Sequence, residues 1–248
     1  MSVTFIRNHP YIAALIAAVI CTILTAVGSA AAQIADLGEV PGYLVMASSV
    51  ALSVLAGLLL LRRSDLSTRE IGFRRLASGS VRSVWFCVPL LLMEVIPLTI
   101  YGPTFARPGA EYAALALFTV VVGLNEELYF RGLSFSFLLG RKSRKQAVIG
   151  SSIIFGVLHA ANALSSATQP VEVLLQIVFA FLVGLTLALI VSITRSLWVG
   201  IVWHFVHNFI SFSTELALDR TALIVITAQV LILMVYTVGL WKRGTAGD

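Results

Sequence analysis

Ala114-Leu115-Ala116-Leu117-Phe118-Thr119-Val120-Val121-Val122-Gly123-Leu124-Asn125-Glu126-Glu127-Leu128-Tyr129-Phe130-Arg131 is the run that decides the fold. It opens as a greasy helix and then carries two carboxylates, an amide and a guanidinium, with no proline to end it. Apolar residues resume after Arg131 and continue to Leu139. Ionisable groups at bilayer depth cost several kcal/mol and mark function by default. The Glu pair sits some 15 residues into the segment, too deep for charges that snorkel from a helix end to the interface. Arg131 alone could be explained by snorkelling.

The rest of the chain supports a membrane setting. Of its 248 residues, 58% are hydrophobic and 12% charged. A soluble domain carries about 25% charged residues, so water could not solvate a surface of this mixture. Mean hydropathy is +0.96. At about 20 apolar residues per span, eight segments are readable, at 11–33, 43–61, 83–101, 112–139, 146–162, 171–194, 197–213 and 221–241. Backbone amides find no water partners in hydrocarbon, so each segment is expected to be helical. The expected fold class is an all-α polytopic transmembrane bundle, a single integral-membrane domain over 1–248. The first segment follows Arg7 and ends in the small residues Gly28–Ala32. A cleaved signal peptide is the alternative there; a retained first helix is the reading taken.

Charge sets the orientation. With the N-terminus in the cytoplasm, 14 of the 17 Lys and Arg residues fall on the inside. Outside lie Arg107 and Arg220, and Arg131 is within a span. This bias follows the positive-inside rule and predicts both termini cytoplasmic. The net charge of +5 therefore points to topology and anionic headgroups rather than to nucleic acid. Cys21 and Cys87 lie in apolar stretches and suggest neither a disulfide nor a Cys-based metal site. In the 62–82 loop, Thr68–Arg75 mixes basic and apolar residues. It reads as an ordinary cytoplasmic loop, with a headgroup-lying amphipathic segment as the alternative.

Three spans carry the polar residues. Successive helical residues point about 100° apart, so Glu126 and Glu127 cannot do the same work. Glu127 and Arg131 are four apart and share a face, which predicts an ion pair. That leaves Glu126 free to act as base or ligand. The fifth segment has Phe155-Gly156-Val157-Leu158-His159, and the seventh has Trp203-His204-Phe205-Val206-His207-Asn208. His204 and Asn208 share a face, while His207 is displaced from it. Each of these groups has a structural reading too, as an interhelical hydrogen-bond cluster. Glu94 lies in the third segment near Pro97; it could line the same cavity as these groups or satisfy a helix break there, and a structural role is the reading taken.

Peptide hydrolysis needs an activated water and a stabilised oxyanion. Glu126 can take the proton from water, with His159 helping to hold it, while His204 and Asn208 receive the oxyanion. The same side chains also permit catalytic zinc, with Glu126, His159 and His204 as ligands. No His-Glu-x-x-His run is present. The two routes stay open. Intramembrane Glu, Arg and His also build proton or ion relays, so a transporter is an alternative, as is a non-catalytic bacteriocin-immunity or binding protein.

Glu126-Glu127-x-x-x-Arg131, Phe155-x-x-x-His159 and His204-x-x-x-Asn208 resemble, in order and spacing, the three motifs of the CAAX protease and bacteriocin-processing family (CPBP or ABI), which includes the type II CAAX prenyl endopeptidases. The resemblance covers residues 80–215 or so. It implies an intramembrane endopeptidase with a helical-bundle core. It puts the catalytic glutamate on Glu126, the second Glu and the Arg on Glu127 and Arg131, the histidines on His159 and His204, and the last polar position on Asn208. Members of the family have been described both as metalloproteases and as enzymes with a Glu-activated water. The expected substrate is a peptide or protein at the membrane, with or without a lipid tail. The short loops resemble those of bacterial members, which implies the bacterial cytoplasmic membrane. The basic stretch Arg141–Lys145 after the Glu helix favours a site open to the cytoplasm.

Overall fold

The computed structural model describes residues 1–76, 88–101, 107–164, 169–214 and 219–245. Arg82, Cys87 and the start of the third apolar segment (83–87) lie outside the described residues. Each of the eight apolar segments carries a helix. In chain order these are α2 (Pro10–Ile34), α3 (Glu39–Arg62), α4 (Val88–Tyr101), α5 (Gly109–Glu126), α7 (Arg144–Leu158), α8 (Pro170–Thr194), α9 (Trp198–Thr214) and α10 (Arg220–Thr245). A short α1 (Val3–Asn8) precedes them. α5 runs on through a π-helical stretch, Glu127–Ser134, into α6 (Phe135–Leu139). Among the described residues the fold is all helical.

Five helices are long and apolar enough to cross a membrane: Pro10–Ile34, Glu39–Arg62, Gly109–Leu139, Pro170–Thr194 and Arg220–Arg243. α4, α7 and α9 are shorter. The predicted fifth segment reached residue 162, but α7 ends at Leu158. Its last turn tightens into a 3-10 helix, His159–Leu164, a common way to satisfy carbonyls at a helix end. His159 thus sits at the junction.

The packing is that of a lipid-facing bundle. Leu52, Leu174 and Val235 point outward, 61%, 61% and 75% exposed. Glu94, Asn125, Glu127, Arg131 and His204 are buried inside. The Gly109–Leu139 span is the central one: 61% of its apolar window is buried, against 28–50% for the other four. It packs on α3 and α9, while α8 packs on α7 and α10. Small residues let the backbones approach, as in lipid-embedded bundles generally. A Cβ on Gly123 would stand 3.0 Å from the Ile201 carbonyl on α9, and one on Gly184 of α8 would stand 3.0 Å from Ser152 on α7.

Proline and loop chemistry are satisfied locally. Pro97 lies inside α4 and has no N–H for the Met93 carbonyl one turn back. Gln229 Nε2 of α10 donates to that carbonyl at 3.2 Å. The helix break is therefore closed by Gln229, and Glu94, the residue expected near it, is engaged elsewhere. The loop after α3 docks on the bundle. Ile71 is buried, and Phe73 meets Trp198 edge-on at 6.1 Å. Gly72, at φ 109°, accepts a hydrogen bond from Leu197 N–H at 2.9 Å. Only glycine adopts that conformation without strain. The apolar side chains Ile71 and Phe73 of this mixed stretch are thus turned onto the protein.

Candidate active site

The two adjacent glutamates separate as their spacing requires. Glu126 is the last residue of α5 and Glu127 the first of the π-helical stretch. In an i→i+5 pattern the helix gains about one residue per turn, and such bulges favour functional sites. The sequence gives no signal for it. All eight residues of the stretch, Glu127–Ser134, are buried. Neighbouring helices fix its register: Tyr129 O–H donates to the Ser53 carbonyl on α3 at 2.9 Å, and Ser134 O–H donates to the Ala14 carbonyl on α2 at 3.1 Å. Just before the pair, Asn125 Nδ2 donates to Cys21 Sγ of α2 at 3.1 Å.

Glu127 is fully buried and holds two partners. Arg131 Nη1 lies 2.9 Å from its Oε1. His204 Nδ1 lies 3.0 Å from the same oxygen. These approaches are short without being aligned as hydrogen bonds; the first is an ion pair and the second a polar contact. The expected Glu127–Arg131 pair is therefore present, with His204 as a third member that spacing along one helix could not foretell. Gly200, one turn before His204, makes room for it. A Cβ on Gly200 would collide with the Glu127 carboxylate.

Glu126 is different. Its side chain keeps 21% exposure, and its Oε2 stands 3.5 Å from His204 Nε2. The imidazole of His204 thus lies between two carboxylates, Glu127 at one ring nitrogen and Glu126 at the other.

Phe155 ties the remaining parts together. The Arg131 guanidinium lies 4.2 Å from its ring centroid, a cation–π contact. The Phe155 ring meets His159 at 4.6 Å, His204 at 5.9 Å and Phe130 at 4.7 Å. His159 Nδ1–H donates to the Phe155 carbonyl at 2.8 Å. That leaves Nε2 of His159 as a lone-pair acceptor. Phe155 was readable only as the residue four before His159; its packing role comes from the tertiary structure. Asn208 lies one turn beyond His204, half-buried.

Glu126, Glu127, Arg131 and His204 are in direct contact, and His159 joins them through Phe155. As arranged, they do not make a metal ligand set: among the described residues no three His, Cys, Asp or Glu side chains converge in that way. His207 does not join this cluster. Its Nδ1–H donates to Glu94 Oε1 of α4 at 3.0 Å. Trp203 touches both histidines, at 5.1 Å from His204 and 4.8 Å from His207.

No curated protein and no solved structure gives a significant match to the chain. A family model does: residues 108–210 match type II CAAX prenyl endopeptidase Rce1-like. The matched stretch runs from just before α5 to Ile210 of α9 and contains Glu126, Glu127, Arg131, His159, His204 and Asn208. With its long apolar helices and that match, the chain is an integral membrane protein whose residues 108–210 are similar to the Rce1-like type II CAAX prenyl endopeptidases.

Proposed function

We propose that this chain is an intramembrane endopeptidase that hydrolyses a peptide bond of a membrane-associated or lipidated substrate, with Glu126 as the general base. The observation that carries this reading is the unequal state of the two glutamates. Glu127 is sealed against Arg131 and His204, while Glu126 keeps an accessible oxygen beside the same imidazole.

In the reaction, a water beside Glu126 gives its proton to the carboxylate as its oxygen bonds to the scissile carbonyl carbon. The Nε2 lone pair of His159 helps orient that water. The carbonyl oxygen becomes an oxyanion, and protonated His204 donates to it through Nε2–H. Glu127 holds the imidazole at Nδ1 and stabilises its charge, much as a carboxylate orients a histidine in other hydrolases. Asn208, one turn along α9, is the second donor for the oxyanion. The C–N bond then breaks, and Glu126 passes its proton to the leaving nitrogen. The products are a carboxylic acid and an amine, which exchange a proton to leave a carboxylate and an ammonium, and Glu126 is restored. Arg131 offsets the Glu127 charge, and its contact with Phe155 fixes the geometry.

The basic turn after α6, Arg141–Lys145, fits a site reached from the cytoplasm with both termini on that side. The test is cleavage of quenched-fluorescent peptides, with and without a prenyl or acyl tail, by the protein purified in detergent. Wild type is compared with Glu126→Ala and His159→Ala, each with and without a chelator. Loss of cleavage in both variants supports the reading; the tail and chelator arms define the substrate class and any metal requirement. Wild-type cleavage by Glu126→Ala would contradict it.

A further inference from the structure

Glu94 and His207 form a second polar cluster with no part in the chemistry above. The His207 ring is stacked between Phe179, at 5.4 Å and 23°, and Trp203, at 4.8 Å and 19°. That sandwich holds Nδ1–H on Glu94 Oε1. Glu94 is 3% exposed, and its other oxygen, Oε2, has no hydrogen-bond partner. A buried acceptor in this state costs free energy unless a donor reaches it.

Both residues line a cavity of about 510 Å³ at the end of the bundle where α4 and α9 finish and α8 and α10 begin. Its size is that of a small-molecule site. Pro97, Phe179, Val225 and Ile226 give it apolar walls, and Glu172 adds a second carboxylate. Among the described residues, no Lys or Arg lines it and His207 is the one basic group in the lining, already paired with Glu94.

We propose that this cavity binds an organic ammonium group, a protonated primary amine carried on an apolar body. Each feature selects for it. The free Glu94 oxygen needs an N–H or O–H donor. Two carboxylates against one imidazole repel anions and favour a cation. The Phe179 ring offers a π-face to that cation, and the apolar walls accept the body that carries it. A neutral alcohol would bring the donor without the charge; a bare metal ion would leave the apolar walls unused.

The inference does not depend on the endopeptidase reading, and its test separates the two. The purified full-length protein in detergent is titrated by calorimetry with n-hexylammonium chloride, beside n-hexanol and sodium hexanoate, and thermal unfolding of each sample verifies folding. The expected result is saturable binding of n-hexylammonium alone, unchanged in Glu126→Ala and weakened at least tenfold in Glu94→Gln. Thr214→Trp, at the C-terminal end of α9 where it narrows the cavity, should weaken it similarly and decides the matter if Glu94→Gln fails to fold. Absence of saturable binding by wild type, equal binding of the three probes, or wild-type affinity in the folded variants would overturn the proposal.

Discussion

The bundle builds two carboxylate–imidazole pairs around Trp203, and it builds them differently. In the first, Glu126, Glu127 and Arg131 come from one continuous helix and only His204 is imported from α9. In the second, Glu94 of α4 meets His207 of α9, residues 113 positions apart. The first pair shares its buried carboxylate with a guanidinium, so its charges offset one another. Among the described residues the second has no cation besides the imidazole, and its Glu94 Oε2 has no hydrogen-bond partner. Both clusters hold buried polar atoms without an aligned hydrogen bond. What separates them is that a guanidinium offsets the carboxylate charge in the first, while the second opens on a cavity that a ligand can fill.

That contrast can be broken at the first cluster. Arg131→Met leaves the Glu127 carboxylate buried with only His204 beside it. Deleting one partner of a buried ion pair costs about 3–5 kcal/mol, so the unfolding temperature in detergent should fall more than for any other single change here. An unchanged unfolding temperature would mean that the Arg131–Glu127 pair does not stabilise the bundle. Gly200→Ala acts on geometry. Its methyl group collides with the Glu127 carboxylate and must push it or α9 aside. A displacement near 1 Å in a catalytic constellation costs about 10²-fold in rate. Cleavage measured beside wild type should show that loss with the fold retained; full activity would free Glu127 from any positioning role.

The second cluster predicts smaller effects, and one of them is reversible. Gln229→Leu removes the donor to the Met93 carbonyl, stranding a buried acceptor at a cost of about 1–3 kcal/mol. Pro97→Ala restores a backbone N–H for that carbonyl, so the double variant should regain most of the lost stability in thermal unfolding. No recovery would mean that Gln229 stabilises the bundle by other contacts. Smallest of all is Glu70, in the loop after α3. Ser67 N–H and O–H both donate to its Oε2 at 2.7 Å, which holds its carboxyl below the ordinary glutamate value. A depressed value stabilises the folded loop above the ordinary glutamate range, and that contribution fades as pH falls through that range and below it. Unfolding temperatures of wild type and Glu70→Gln should therefore differ at neutral pH and converge on acidification. A gap that widens in acid would reverse the sign.

The parts that could be read from sequence are those encoded by spacing within one helix. Eight apolar runs foretold eight helices, because hydrocarbon admits no unpaired backbone and the runs could be nothing else. Glu127 and Arg131 are four apart, so their pair was visible, as was the separation of Glu126 from Glu127. The His204–Glu127 contact, the fit of Gly200 against the carboxylate, the Glu94–His207 pair and the Gln229 repair of Pro97 all cross between helices. Which faces meet depends on the packing of the whole bundle, and no local period records it. The π-helical stretch is likewise a tertiary outcome: Leu128, Tyr129 and Leu133 are ordinary helix residues, and neighbouring helices fix the register.

The claim that two adjacent glutamates divide chemistry from structure is tested most directly by one paired measurement. Cleavage rate and unfolding temperature are measured together for Glu126→Gln and Glu127→Gln, beside wild type. Glu126→Gln should lose about 10²–10⁴-fold in rate, the range for removing a general base, at an unchanged unfolding temperature, and Glu127→Gln should lose several degrees of stability. A Glu126→Gln protein that cleaves at the wild-type rate would contradict that claim.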